Sequence, residues 1–322
     1  MASLLLISGY LDEKPTGGVA MHVHRLLKLL IEKEIHCYDL CDYKKEGFYL
    51  QISKIISSQI VHVHVSNPYL RLAYAFICKI LGKKSILTVH GQLGRFGWLK
   101  NQIDYCSIRL FSIPILINKN SYVKGKKLNS KCRYIQAFIP PILEEELVAE
   151  DIKNCIFHFK DEQKKVFLTN ASRRSFNSNG EEIYGIDFLI SFFNQHSQYQ
   201  LIILDPENQY KPIYNKKCPF NVLILTGELS FCGIMRYADF VIRNTITDGD
   251  SFSVKESLWF EKPVLATDVV DRPDGVILFK YSDSTSLEKA IINASINQKG
   301  WMDIKGGAIY EYKKLYQELR LC

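Results

Sequence analysis

The chain has 322 residues, of which 47% are hydrophobic and 23% are charged, and its formal net charge is +7. This composition excludes a disordered, collagen-like or low-complexity protein, and the length exceeds what one hydrophobic core usually supports, so two domains are expected. The charge alone is compatible with nucleic acid, anionic lipid or a phosphorylated small molecule as a partner.

The charge is unevenly distributed along the chain. Residues 1–140 contain 20 basic and 8 acidic residues, a net charge of +12, whereas residues 141–322 have a net charge of −5. Such an asymmetry indicates that one domain faces an anionic surface.

The nine cysteines are odd in number and include no Cys-x-x-Cys pair. They indicate free or buried thiols in a reducing cytosol rather than a zinc site. The first residues carry neither a basic leader nor a cleavage site, and Arg71 and Lys79 interrupt the best apolar run. We therefore expect a cytoplasmic protein without a signal peptide or a transmembrane span.

Strand-like and helix-like segments alternate from the start of the chain. Residues 4–8 form an apolar run typical of a buried parallel strand, a loop with Gly17 and Gly18 follows, and apolar residues recur at helical spacing from Val19. This order is typical of a nucleotide-binding α/β unit. The same patterns predict further strands at 60–65, 85–89, 113–117 and 134–139, and a helix at 70–81.

A second series begins after Pro140-Pro141, which cannot lie inside a helix or a central strand. Strands are predicted at 165–169, 200–204, 222–226, 240–242 and 264–267, and helices at 186–194, 231–237, 253–260, 286–297 and 310–319. The sequence thus predicts an α/β protein with two Rossmann-like parallel-sheet domains, residues 1–140 and 141–305, facing a central cleft. Because ligands of open parallel sheets lie beyond the carboxyl ends of the strands, the functional residues are expected just after strands.

The segment 243–268 carries the most specific pattern. Asp248 and Glu256 are separated by seven residues, Glu256 lies on a predicted helix, and a Lys-Pro-Val-Leu-Ala-Thr strand follows. This pattern resembles the nucleotide-sugar site of retaining glycosyltransferases of family 4, which have the GT-B fold and carry a glutamate at both positions. The resemblance covers nearly the whole chain in element order and implies that Asp248 and Glu256 are catalytic. Aspartate at 248 departs from the family pattern and shortens the reach of the carboxylate by one methylene.

The predicted helix start at Ser251, Phe252 and Ser253 would present free backbone N–H groups and the positive end of a helix dipole, which together suit a diphosphate. Glu256, one turn into the helix, would accept hydrogen bonds from a ribose diol, and Asp248 would hold sugar hydroxyls or orient the leaving sugar. Asp248 and Asp250 have Asp-x-Asp spacing, but they lie within this donor motif, so no metal site is expected. The alternative is that both are ordinary capping residues and that Glu256 lies on a solvated face.

Two features of the first half match the same resemblance. Gly17-Gly18 is similar to the family's N-terminal glycine loop, which approaches the donor diphosphate or the acceptor, although a plain turn is the alternative. Thr88-Val-His-Gly is similar to the segment whose histidine contacts the transferring sugar, so His90 is a predicted catalytic residue, with a structural histidine as the alternative. His62 and His64 alternate on one strand face and are predicted to be structural.

Arg173 and Arg174 follow the strand at 165–169, where the family places an arginine that binds the donor phosphates. The family's Lys-Gly pair is replaced here by Tyr184-Gly185, so the phosphate-binding lysine is missing. Arg173 is the preferred phosphate ligand and Arg174 the next, and a pair of solvated surface arginines is the alternative.

Residues 95–109 mix basic and large apolar side chains. This pattern is typical either of an amphipathic segment on an anionic membrane or of a core-packed helix with a basic outer face. Single-stranded nucleic acid is the weaker interpretation, because no recognised nucleic-acid module accompanies the segment.

These features together predict a retaining, metal-independent, hexosyltransferase-like enzyme that needs no cofactor. It would move a sugar from a nucleotide-diphosphate donor to a hydroxyl of a glycan or lipid-linked acceptor in bacterial surface polysaccharide assembly. The C-terminal domain would bind the donor, and the basic N-terminal domain would bind the acceptor and the inner face of the membrane, without nucleic acid. By the same resemblance, residues 306–322 form a helix that returns to the N-terminal domain. The alternatives are a GT-B sugar-nucleotide epimerase and a catalytically silent GT-B partner subunit.

Overall fold

The structure, a computed structural model, describes residues 3–9, 11, 18–171, 173–248, 251–296 and 307–321. The chain divides into two compact units. Unit 1 comprises residues 1–139 and 305–322, and unit 2 comprises residues 140–304.

Unit 1 contains one six-stranded sheet flanked by helices. Its strands are β1 (Leu4–Ser8), β2 (Tyr38–Asp42), β3 (Ile60–His64), β4 (Lys84–Val89), β5 (Ile113–Leu116) and β6 (Arg133–Tyr134). Its helices include α1 (Gly18–Leu26), a π-helical turn (Leu27–Ile31), α2 (Glu32–Glu34), α3 (Phe48–Ser57), α4 (Pro68–Ile80), α5 (Trp98–Leu110) and α6 (Lys119–Leu128). All neighbouring strands pair in parallel, in the order β2-β1-β3-β4-β5-β6.

Unit 2 repeats this layout with a second six-stranded sheet. Its strands are β7 (Lys165–Asn170), β8 (Tyr199–Asp205), β9 (Val222–Thr226), β10 (Phe240–Arg243), β11 (Val264–Thr267) and β12 (Val276–Phe279). Its helices are α7 (Glu150–Phe159), α8 (Ile186–Gln195), α9 (Lys211–Tyr214), α10 (Phe231–Met235), α11 (Phe252–Trp259) and α12 (Ser284–Ile296). The strands pair in parallel in the order β12-β11-β10-β7-β8-β9.

Apolar residues on both faces of the central strands explain the parallel layout. Leu4 and Leu6 of β1 belong to the core on one side of the first sheet, and Leu5 and Ile7 belong to the core on the other side. A strand with alternate residues buried on both faces needs a helical layer on each side, which crossover helices supply. The predicted fold class, two Rossmann-like parallel-sheet domains, is confirmed.

The last helix, α13 (Gly307–Glu318), packs within unit 1. Tyr312, Leu315 and Tyr316 are buried in the same core as Leu4. The Tyr316 hydroxyl also lies 2.7 Å from Nδ1 of His62 on β3. The end of the chain therefore contributes both apolar area and a polar contact to the first sheet.

The predicted strand at 134–139 is wrong beyond Tyr134, because β6 comprises only Arg133–Tyr134. Most of the residues from 135 to 139 are buried, and two of their carbonyls accept hydrogen bonds from side chains. The Ala137 carbonyl accepts from His22 Nδ1 at 2.6 Å, and the Ile139 carbonyl accepts from Arg25 Nη1 at 3.0 Å.

Two further expectations concern thiols and membrane spans. The described cysteines, which exclude Cys322, are free thiols. In the described part of the chain, no helix is both long and apolar enough to cross a bilayer.

Candidate functional site

The start of α11 lies directly beyond the carboxyl end of β10, a central strand of unit 2. Ser251 occupies the N-cap position, but its side chain forms no capping bond, and its hydroxyl oxygen lies 3.1 Å from that of Ser253. The first turn contains no acidic residue. A helix start of this kind directs N–H groups and a positive dipole end outward, which suits an anion. Asp250, which the sequence places beside it, lies outside the described residues.

The side chain of Asp248, which is 6% exposed, lies between two arginines. Nε and Nη2 of Arg243 each lie 3.1 Å from its carboxylate oxygens, and Nη1 of Arg272 lies 2.7 Å from Oδ2. Burial raises the pKa of Asp248, but the two guanidinium groups outweigh that effect and hold the pKa below its ordinary value. Asp248 is therefore ionised, and its carboxylate holds the guanidinium groups of Arg243 and Arg272 in place. Sequence reasoning missed Arg272, whose only signal was a basic residue shortly after β11.

Glu256 is buried, with 5% of its surface exposed, as are Ser253, Lys255 and Ser257 around it. The solvated-face alternative for Glu256 is therefore wrong. Lys255 is a further buried charge that the sequence gave no reason to select, because a lysine on a short helix is usually exposed.

Arg173 and Arg174 differ in their surroundings. Nη2 of Arg174 lies 2.7 Å from Oδ2 of Asp187, and its guanidinium stacks over the ring of Phe176. Arg173 is exposed, and its side chain makes no hydrogen bond or ion pair within the described ranges. Of the two, Arg173 has the guanidinium that a ligand can take without breaking an existing ion pair.

The start of α8 shows why glycine stands at 185. Gly185 is the N-cap with φ at +52°, and a Cβ there would lie 2.2 Å from Nδ2 of Asn244. That amide nitrogen donates to the Gly185 carbonyl at 2.9 Å. The Glu182 carboxylate accepts from the Asp187 backbone N–H at 3.0 Å. This helix start therefore already holds a carboxylate.

In unit 1, His90 follows the carboxyl end of β4, and Gly18 begins α1 after β1. The other half of the predicted glycine pair, Gly17, lies outside the described residues. Because all strands of the sheet are parallel, both sites lie at one edge. Nε2 of His90 lies 3.0 Å from Nδ1 of His64, the last residue of β3.

His90 belongs to a group of four histidines on α1, β3 and the end of β4. Burial lowers the pKa of His22 to about 4 and that of His62 to about 3, and it lowers those of His64 and His90 well below the ordinary value. All four imidazoles are therefore neutral near pH 7. His62 has two hydrogen-bond partners, the Tyr316 hydroxyl and the Thr88 hydroxyl, which agrees with a structural role.

Comparisons with protein-family models and with curated protein sequences gave no match. Solved structures share the fold along the whole chain. HepE of Anabaena in complex with UDP is 13% identical, with 100% of each chain covered and a TM-score of 0.70, and its UDP-glucose complex has a TM-score of 0.67. Sucrose-phosphate synthase of Thermosynechococcus elongatus is 13% identical, with 99% of each chain covered and a TM-score of 0.66. UDP-GlcNAc 2-epimerase of Methanocaldococcus jannaschii is 11% identical, with 100% of this chain and 99% of that chain covered and a TM-score of 0.60. These likenesses identify the fold as GT-B.

Proposed function

We propose that this protein is a retaining glycosyltransferase that moves a hexose from a nucleotide-diphosphate donor to an acceptor hydroxyl. The observation that carries the proposal is the start of α11, where the Ser251 side chain forms no capping bond and Glu256 is buried one turn inside the helix, after a central strand of a parallel sheet. HepE, which shares the fold over the whole chain, binds UDP and UDP-glucose. The same donor class fits the chemistry of this site.

The donor diphosphate would lie at the start of α11. The first-turn N–H groups and the exposed Arg173 would offset the charge that grows on the leaving group, without a metal ion. Glu256 would accept hydrogen bonds from the ribose hydroxyls. Asp248 would face the sugar and hold Arg243 and Arg272 in place beside it.

The transfer itself would need no enzyme nucleophile. In a retaining reaction of this kind, the leaving group departs and the acceptor hydroxyl attacks on the same face of the sugar. His90 is neutral, so it would contact a sugar hydroxyl as a hydrogen-bonding partner and not as a cation.

A thermal-shift panel of nucleotide sugars tests the donor site. A ligand that binds the folded state alone raises the unfolding midpoint, so at least one nucleotide sugar should stabilise the wild type. Arg173→Ala should lose most of that shift, whereas Lys216→Ala, which removes an exposed cation of the same unit outside the donor motif, should keep it. Absence of any shift across UDP-, GDP-, ADP- and dTDP-sugars would refute the donor proposal and favour the catalytically silent subunit.

We also propose that unit 1 binds a lipid-linked acceptor at the cytoplasmic face of a membrane, in surface polysaccharide assembly. Residues 47–140 contain 14 basic residues and one acidic residue, Asp104. That carboxylate is buried 2.6 Å from Nη1 of Arg71, so it does not weaken the basic surface. Such a surface attracts anionic lipid.

Exposed aromatic residues lie at the starts of three helices that follow β2, β3 and β4. Tyr49 on α3 is 89% exposed, Trp98 on α5 is 76% exposed, and Tyr69 on α4 is 48% exposed. Since these strands are parallel, the three helix starts lie at the same edge of the sheet as His90. Aromatic rings of this kind enter the lipid interface.

Vesicle sedimentation tests the membrane proposal. Wild-type protein should bind vesicles that contain phosphatidylglycerol at low salt and release at high salt. Replacing Tyr49 and Trp98 with Ser should weaken binding, whereas the matched change at Phe157, an equally exposed aromatic residue of unit 2, should not. Equal vesicle binding by the wild type, the Tyr49 and Trp98 variant and the Phe157 variant would show that the membrane does not bind at the exposed aromatic residues of unit 1.

A sugar-nucleotide epimerase is the second candidate, because the chain shares its fold with the M. jannaschii epimerase. Incubation with a nucleotide sugar and no acceptor separates the two reactions. An epimerase converts the donor to its isomer, whereas a transferase leaves it intact or hydrolyses it slowly.

A further inference from the structure

Three of the six histidines in unit 1 form a cluster with the donor set of a metal site. His22 lies on α1, His64 ends β3, and His90 follows β4. One ring nitrogen from each lies within 4.8 Å of those from the other two. His22 and His64 are fully buried, and His90 is partly exposed. We propose that these histidines bind one divalent transition-metal ion through three imidazole nitrogens.

The hydrogen bonds of His22 prepare it as a ligand. A backbone carbonyl can only accept, so Nδ1 of His22 carries the proton that is donated to Ala137 at 2.6 Å. The neutral ring therefore has its lone pair on Nε2, which lies 3.3 Å from the Tyr312 hydroxyl. Histidine ligands of metals commonly donate their other N–H to a backbone carbonyl, which fixes the tautomer and the ring orientation.

His64 and His90 already lie at ligand spacing. Their nearest ring nitrogens are 3.0 Å apart, and two nitrogens bound to a tetrahedral Zn²⁺ ion are about 3.3 Å apart. His22 needs to move by an ångström or so to complete the set. Nε2 of His64 is buried without a hydrogen-bond partner among the described residues. The hydrogen bonds among the neutral histidines therefore leave one ring nitrogen of the cluster unsatisfied.

The donor set defines the class of ion. Three neutral imidazoles suit Zn²⁺, Co²⁺, Ni²⁺ or Cu²⁺, whereas Mg²⁺ and Ca²⁺ prefer oxygen ligands. Binding moves protons only within the rings. In the bound state, each imidazole carries one proton, on the nitrogen that does not bind the ion. In the free protein, His64 or His90 donates a proton to the other ring. When the ion binds, that proton moves to the other nitrogen of the ring that donated it.

The metal ion proposed here takes no part in the proposed transfer reaction. A bound ion would occupy His90, so Zn²⁺ is expected to inhibit transfer. This last consequence rests on the proposed function, but the binding itself does not, and the test below measures binding alone.

Titration of EDTA-dialysed protein with Co²⁺ tests the site, with the exposed thiols alkylated beforehand. Wild-type protein should develop visible d–d absorption that saturates at one equivalent, that Zn²⁺ removes and that excess Mg²⁺ leaves unchanged. His64→Gln and His90→Gln should each lower the Co²⁺ affinity by more than about tenfold. His62→Gln, which removes a buried histidine outside the trio, and His36→Ala, which removes an exposed one, should bind as the wild type does.

Circular dichroism identifies variants that fail to fold, and His90 is the safest site because it is partly exposed at a strand end. Wild-type protein that takes up no Co²⁺ would overturn the proposal. Stoichiometric binding that survives in folded His90→Gln, or that disappears equally in His62→Gln, would overturn the assignment to this trio.

Discussion

Replacing Asp248 with Asn tests whether this carboxylate is a structural clamp as well as a donor-site residue. Its side chain is 6% exposed, and the arginines on either side, Arg243 and Arg272, are 12% and 3% exposed. Asn keeps the shape and one acceptor oxygen but removes the negative charge. Two largely covered guanidinium groups then lose their counter-ion.

Removing one partner of a buried ion pair typically costs about 3–5 kcal/mol, because the remaining charge stays desolvated. For a unit of this size, such a loss lowers the unfolding midpoint by roughly 6–20 °C. Thermal unfolding followed by circular dichroism measures the shift. Asp268→Asn, an exposed aspartate of the same unit, serves as the control and should stay within about 0.5 kcal/mol of wild type.

The pH dependence gives a second signature. The pKa of Asp248 is below its ordinary value of 3.8, so the stabilisation is fully present above that value and is lost as the pH falls through the lower pKa of the folded state. The difference in midpoint between wild type and Asp248→Asn should therefore be constant from pH 8 to pH 5 and shrink below about pH 4. If the unfolding midpoint of Asp248→Asn is as close to wild type as that of Asp268→Asn, the ion pairs of Asp248 with Arg243 and Arg272 do not stabilise the fold.

Three further predictions concern the donor site and the histidines. Glu256→Gln should lower kcat/KM for transfer roughly 10- to 150-fold, because a hydrogen bond to a charged group contributes about 1.5–3 kcal/mol; unchanged turnover would remove Glu256 from the site. Arg173→Ala should weaken donor binding in calorimetry without loss of stability, whereas Arg174→Ala should lower stability by breaking the ion pair with Asp187; the opposite pattern would exchange their roles. Because the pKa of His22 falls from 6.5 to about 4 on folding, the unfolded state binds more protons between these values, so the urea midpoint should fall as the pH is lowered from 6.5 towards 4; a flat midpoint over that range would contradict the buried, neutral cluster.

Local pattern predicted the elements of the two sheet cores well. The predicted bounds of β1, β9 and β11 agree with the structure to the residue, because a buried parallel strand is a short, continuous apolar run. The apolar pattern did not predict β2, because in its Tyr-Asp-Leu-Cys-Asp sequence aspartates interrupt the apolar residues, and β2 is the outermost strand of its sheet. The pattern also failed after Tyr134, where the carbonyls of the buried residues Ala137 and Ile139 accept hydrogen bonds from His22 and Arg25.

The candidate donor site shows the same division. The seven-residue spacing identified Asp248, in the loop after β10, and Glu256, on α11, as a pair. The spacing held no information on Arg272, because that guanidinium reaches Asp248 from a loop 24 residues further along the chain. The different surroundings of Arg173 and Arg174 likewise depend on Asp187, which another helix supplies.

The sequence by itself determined the two-domain α/β class, most of the strands and the segment that holds the candidate donor site. These properties depend on apolar periodicity and on residues close together in the chain, and both are local. The tertiary structure decided which charges meet and which histidines share a cluster. His22, His64 and His90 are separated by 42 and 26 positions, yet parallel strands and the helix after β1 place them at one edge of a sheet. That proximity arises from packing, which acts on the folded chain and leaves no periodic signal in the sequence.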